Sequence, residues 1–86
     1  MVKTKHGEFN VNAIEFGERR EMHRLEMKVY WKDEFNQDAY FNLLNYVMNL
    51  AFDNPSKALA NFDDVQIDEI LNDIYTYYKS ISKKKK

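Results

Sequence analysis

After Gly17 the chain runs through alternating apolar and polar positions with no further glycine and one proline, Pro55. A stretch so poor in breakers predicts a mostly helical fold. Met22, Leu25 and Val29 share one face of a first helix expected from Gly17 to Trp31, with Glu18 and Glu21 in its first turns, where carboxylates suit the helix dipole. The polar cluster Lys32-Asp33-Glu34 closes it. Asn36 is the natural N-cap of a second helix from Gln37 to Phe52. Along it Tyr40, Leu43, Leu44, Val47, Met48 and Ala51 form a wide apolar stripe, and Asp38, Asn42, Asn45, Asn49 and Asp53 a thin polar one. Phe41, Tyr46 and Leu50 extend the apolar surface over most of the circumference. A helix of that kind is either central in its fold or covered by something else.

Further on, Asn54 can cap a short helix that begins at Pro55 and runs through Lys57-Ala58-Leu59-Ala60. Asp63 and Gln66 have capping-box spacing, and Phe62 just before them can staple onto Ile67. Ile67, Ile70, Leu71, Ile74 and Tyr78 then recur at helical spacing in a last helix. Ahead of the helices, Phe9, Val11 and Ala13 alternate with polar residues beside His6-Gly7, which predicts a short hairpin within residues 1–14. The expected fold is mainly α (α+β): an N-terminal β-hairpin, three principal helices and one short helix in a single domain over residues 1–79, followed by a flexible lysine-rich tail over 80–86.

Length and composition narrow the function. At 86 residues the chain supports one small core. Without cysteine it has no disulfide, no thiolate zinc site and no thiol nucleophile, and it is compatible with a reducing cytosol. The least polar stretch, Tyr40 to Phe52, is broken by Asn42, Asn45 and Asn49, and the first six residues lack an apolar run. Neither a membrane span nor a signal peptide is therefore expected. The net charge of −1 conceals three blocks: +2 over residues 1–32, −8 over 33–78 and +5 over the last eight. Phosphate would be repelled by the middle block, which argues against nucleic acid as a partner except at the two ends.

The residues that could carry chemistry are few. His6 and His23 fall on different elements without metal-ligand spacing. Ser56, Ser80 and Ser82 have no histidine near them in sequence, and two glycines cannot build a phosphate loop. No catalytic residue, metal or cofactor is expected, and an enzyme is the least favoured class. Arg20, Arg24, Lys28 and Lys32 recur every four residues as a basic ridge that could follow an acidic partner or a phosphate backbone. The plainer reading, a solvated face partly neutralised by Glu21 and Glu26, carries more weight. Thirteen aromatic residues are more than three narrow helix stripes can bury, so some are expected at the surface. Tyrosine and tryptophan dominate binding hot spots. Trp31, Phe41, Tyr46 and Phe52 are the candidate anchors of a protein-binding groove bordered by the first two helices.

The run Glu18-Arg19-Arg20-Glu21-Met22-His23-Arg24-Leu25-Glu26, then Lys28-Val29-Tyr30-Trp31, Ala39-Tyr40-Phe41-Asn42-Leu43-Leu44 and Val65-Gln66-Ile67-Asp68-Glu69-Ile70-Leu71, resembles the small tail assembly chaperones of tailed bacteriophages. The resemblance covers about residues 8–80. It implies a non-catalytic helper in the host bacterial cytoplasm that self-associates and coats helical segments of the tape measure protein until tail tube subunits displace it. The basic C-terminus departs from that pattern. Two other readings stand beside it: a phage-encoded inhibitor of a host defence or transcription protein, and a small nucleic-acid binder using the basic ridge.

Overall fold

In the computed structural model, which describes residues 1–84 and the side chains of residues 1–81, helices begin where a side chain satisfies their free backbone N–H groups. Helix α1 (Phe16–Val29) starts at Glu15, whose N–H donates to Glu18 Oε1 at 3.0 Å. Helix α2 (Gln37–Ala51) is capped by Asn36, whose Oδ1 accepts from the N–H of Ala39 at 3.0 Å. The single turn α3 (Pro55–Ala58) has Asn54 in the same role toward Lys57. Helix α4 (Asp64–Lys84) opens with a reciprocal box: Gln66 N–H donates to Asp63 Oδ1 at 2.8 Å and Asp63 N–H to Gln66 Oε1 at 3.1 Å. The last three are the starts that the sequence predicts, whereas α1 begins one residue before the expected Gly17, on an unexpected Glu15–Glu18 box. The end of α4 differs, since the helix continues to Lys84 where the tail was expected from Ser80, and residues 85 and 86 lie outside the described residues.

Two short antiparallel hairpins complete the fold. Strands β1 (Val2–Thr4) and β2 (Gly7–Phe9) pair with Val2 opposite Phe9 and Thr4 opposite Gly7. Gly7 has φ +120°, a backbone state that side chains resist, and the Thr4 hydroxyl ties the turn by donating to the Gly7 carbonyl at 2.8 Å. The second hairpin, β3 (Tyr30–Trp31) and β4 (Glu34–Phe35), corrects the expectation that α1 extends to Trp31. Lys32 and Asp33 take φ of 55° and 65°, so the chain reverses in a two-residue turn of the kind that suits the twist of short hairpins. Lysine and aspartate are uncommon there, which is why the sequence reads as a helix end rather than a turn.

Helix α2 is the centre of the molecule. Leu43, Leu44, Val47 and Ala51 are buried, with Met22 and Val29 of α1 and with Ile70, Leu71, Ile74, Tyr75 and Tyr78 of α4 in the same core. The first hairpin closes α4 from outside: Val2 enters the core, the Lys5 N–H donates to Asp73 at 3.0 Å, and His6 Nε2 lies 2.7 Å from Glu69 Oε1. Between β2 and α1, Asn12 seals the end of α2. Its N–H donates to the Ala51 carbonyl at 2.9 Å, its side-chain amide donates to the Leu50 carbonyl at 3.2 Å and to Asp53, and its own carbonyl accepts from the Tyr78 hydroxyl at 2.6 Å.

Asparagine followed by glycine at positions 32 and 33 removes the cost of two left-handed side-chain residues. The double variant Lys32→Asn, Asp33→Gly is expected to gain about 1 kcal/mol in urea unfolding. A loss would place the turn in some other conformation. Burial, helped by the charges of Glu18 and Tyr77, pushes the Tyr78 phenol up to about 12. The folded chain thus keeps a proton that the unfolded chain releases near pH 10. The stability this contributes is complete below pH 10 and is lost as pH rises toward 12. Tyr78→Phe is expected to lower stability by about 1 kcal/mol at neutral pH and to make its decline above pH 10 shallower, measured by urea unfolding across the alkaline range.

Candidate protein-binding surface

The turn at Lys32-Asp33 throws three aromatic side chains to the surface. Tyr30 is 68% exposed, Trp31 61% and Phe35 53%. Tyr30 and Phe35 are cross-strand partners ordered by stacking, while Trp31 pairs with Glu34 on the other face of the hairpin. Phe35 sits with its centroid 5.5 Å from Tyr30 and 5.7 Å from Tyr40 of α2, both at tilted angles. Behind them lies a cleft of 330 Å³ where the ends of α1 and α2 and the middle of α4 converge. Val29 and Leu43, both buried, form its dry floor; Tyr30, Phe35, Tyr40 and Tyr75 are its aromatic walls; Glu26 and Asn72 are its polar groups.

The polar groups of the cleft are fixed. Tyr40 donates its hydroxyl to Asn72 Oδ1 at 3.2 Å. Lys79 Nζ reaches Glu26 Oε2 at 2.6 Å and lies 5.2 Å from the centroid of the Tyr75 ring. The Tyr75 hydroxyl also interacts with Glu26. Partial burial works to raise the Glu26 carboxyl, but the hydrogen bonds from Lys79 and Tyr75, with the charges of Lys79 and His23, outweigh it and leave the carboxyl below its ordinary range. Burial first, and then Glu26, push the Tyr75 phenol well above its own. Glu26 therefore stays ionised at neutral pH, and Tyr40 and Tyr75 stay neutral.

The four candidate anchors part company in this structure. Trp31 and Phe41 are exposed, Phe41 at 56%, whereas Tyr46 is half-buried with its hydroxyl 3.4 Å from the Glu18 carbonyl of α1. Phe41 and Tyr46 are five residues apart on α2, about 140° around the axis, and do not share a face. Phe52 is a core residue, only 7% exposed, with its ring 6.0 Å from that of Phe9 in an edge-on arrangement. It cannot be a surface anchor because the N-terminal hairpin covers it. The groove itself also differs from expectation, since α4 and the second hairpin border it along with α1 and α2. Tyr30 and Phe35 belong to the surface, and the signal for them lay in the aromatic-polar-aromatic run from Tyr30 to Phe35, a hairpin pattern with an unusual turn.

The basic ridge is shorter than its spacing implies. Arg20, Arg24 and Lys28 are exposed on α1, but Lys32 lies in the hairpin turn after the helix has ended, so it does not continue the row. Arg24 is committed to Glu21 through two hydrogen bonds, its Nε at 2.9 Å from Glu21 Oε1, and that hydrogen bond holds the Glu21 carboxyl below its ordinary range. Among the described residues no group of three or more histidine, cysteine, aspartate or glutamate side chains could hold a metal ion, and no helix is long and apolar enough to cross a membrane. No family model matches the chain, and no curated protein or solved structure does.

The contrast between Phe52 and the hairpin rings is measurable. Phe52→Ala is expected to cost about 3–4 kcal/mol of stability, while Trp31→Ala costs under about 1 kcal/mol. Thermal and urea unfolding of the two variants read the difference, and equal losses would contradict the division between core and surface.

Proposed function

We propose that this chain is a non-catalytic assembly chaperone that covers apolar helical segments of another protein. The observation that carries the reading is the pair of exposed rings Tyr30 and Phe35 on one face of the second hairpin, beside an apolar-floored cleft, with exposed Trp31 on the hairpin's other face, on a domain whose buried side-chain polar atoms, among the described residues, all have partners. Exposed rings of this kind suit a protein partner, because they have few rotors and supply area at low entropic cost. Met27 on α1 and Phe41 on α2 are further exposed apolar side chains on the two helices joined by this hairpin. The resemblance in the Glu18–Trp31 and Val65–Leu71 runs points to the tape measure protein of a tailed phage as the partner, met in the host cytoplasm. Contact between copies of the chain through the same rings is part of this reading.

Co-expression with a tape measure segment tests it. The wild-type chain is expected to keep the segment in the supernatant, and Trp31→Ala combined with Phe35→Ala to lose at least half of that effect while remaining folded by circular dichroism. Retention unchanged in the double variant would remove the aromatic surface from the mechanism. Sedimentation at rising concentration reads self-association in the same two proteins, with the double variant expected to stay smaller.

A further inference from the structure

The cleft behind the hairpin contains more than apolar surface. Aromatic faces present negative electrostatic potential to a cation, and four rings here surround a single carboxylate. The chain already places one cation at this end: Lys79 is bonded to Glu26 Oε2 at 2.6 Å and lies 5.2 Å from the Tyr75 ring centroid. Glu26 keeps acceptor capacity after its contacts with Lys79 and Tyr75, because a carboxylate has about four lone-pair positions. Its other oxygen, Oε1, is 3.6 Å from His23 Nδ1, too far for a strong hydrogen bond. Asp68 adds negative charge close to Tyr40, where it acts with burial to raise the phenol.

We propose that this cleft binds the guanidinium of an arginine carried by the partner polypeptide, stacked among Tyr30, Phe35 and Tyr40 and hydrogen-bonded to Glu26. The source of the arginine rests on the protein-binding function proposed above; the recognition chemistry does not. An aliphatic side chain would fill the volume but would desolvate Glu26 and Asn72 without offering them a donor. An acidic one would meet Glu26 and Asp68. A lysine would compete for the place that Lys79 holds, whereas what remains is ring surface, on which a planar and weakly hydrated guanidinium stacks better than an ammonium. The cleft's 330 Å³ is at the lower end for a ligand pocket, on the scale of one long side chain.

The test is a nuclear magnetic resonance titration of the full chain with N-acetyl-arginine amide, and with N-acetyl-citrulline amide as its neutral isostere. Saturable shifts centred on Glu26, Tyr30, Phe35, Tyr40 and Tyr75 are expected for the arginine compound, with binding at least about tenfold weaker for citrulline. Glu26→Gln is expected to weaken arginine binding about tenfold, and Phe35→Leu, on the exposed hairpin and away from the core, about threefold. Lys79→Met removes the competing cation and is expected to tighten it about threefold. No saturable shift, equal binding of citrulline, or shifts centred away from the cleft overturns the proposal.

A second titration separates this proposal from the function it draws on. Two amphipathic helical peptides are compared, one with a single central arginine and one with glutamine there, and about tenfold tighter binding of the first is expected. Equal binding of both overturns the cleft proposal and leaves protein binding intact. Binding of arginine amide with no binding of either peptide supports the cleft and overturns the chaperone reading.

Discussion

The apolar stripe of helix α2 must be covered on both flanks, and the rest of the fold follows from that constraint. Leu43, Leu44, Val47 and Ala51 are buried, while Phe41, Asn42 and Asn49 lie exposed. Burying Leu43, Leu44, Val47 and Ala51 at once requires a helix on each flank, and α1 and α4 take those places. Each large aliphatic side chain so buried is worth about 1.5–3 kcal/mol, which in a domain of 86 residues makes the packing of α2 against α1 and α4 a large source of stability. The cost falls at its C-terminus, where carbonyls of Leu50 and Ala51 end inside the structure. Asn12 meets both, and its own carbonyl receives the Tyr78 hydroxyl, so one asparagine ties the N-terminal segment, α2 and α4 together.

The opposite end of α2 is closed differently, and this difference creates the candidate site. At the C-terminal end a polar side chain plugs the helix; at the N-terminal end Asn36 caps α2 directly after β4, the second strand of the hairpin that follows α1. The chain must reverse between Val29 and Asn36, and the Asn36 N–H donates to the Val29 carbonyl at 2.7 Å across that reversal. So short a connection leaves no room for Tyr30, Trp31 and Phe35 to turn inward. Their exposure is a consequence of the tight link between α1 and α2, while the composition of the link, three aromatic residues in six, is what makes the exposure useful.

What could be read from the chain follows the range of the interaction that decides it. Helix starts at Asn36, Asn54 and Asp63 are settled within four residues and were legible as caps. The centrality of α2 was legible because its own pattern demands cover. The fate of single aromatics was not. Phe41 and Phe52 look alike in a window of helix sequence, and only the approach of Phe9 from the far end of the chain makes Phe52 core. Likewise Asn12 reads as a polar strand position until Leu50 and Ala51 are placed beside it. The pairing of Glu26 with Lys79 spans 53 residues and has no local signature. The second hairpin failed for another reason, since Lys32 and Asp33 adopt a conformation that their residue types disfavour.

That disfavoured turn bears on how the surface could work. Two left-handed residues without glycine cost on the order of 1 kcal/mol each, and a two-stranded hairpin of four strand residues contributes little to offset them. The balance must come from the rings, with Tyr30 on Phe35 and Phe35 on Tyr40 bridging the hairpin to α2. The same stacking that keeps the turn closed holds the exposed faces in place before anything binds. A partner that settles on them then immobilises fewer side chains than it would on a disordered link, and ordering each rotamer-rich side chain costs about 0.5–1.5 kcal/mol. An aromatic surface built this way is stable only because it is stacked, and because it is stacked it is already in the geometry of a binding face.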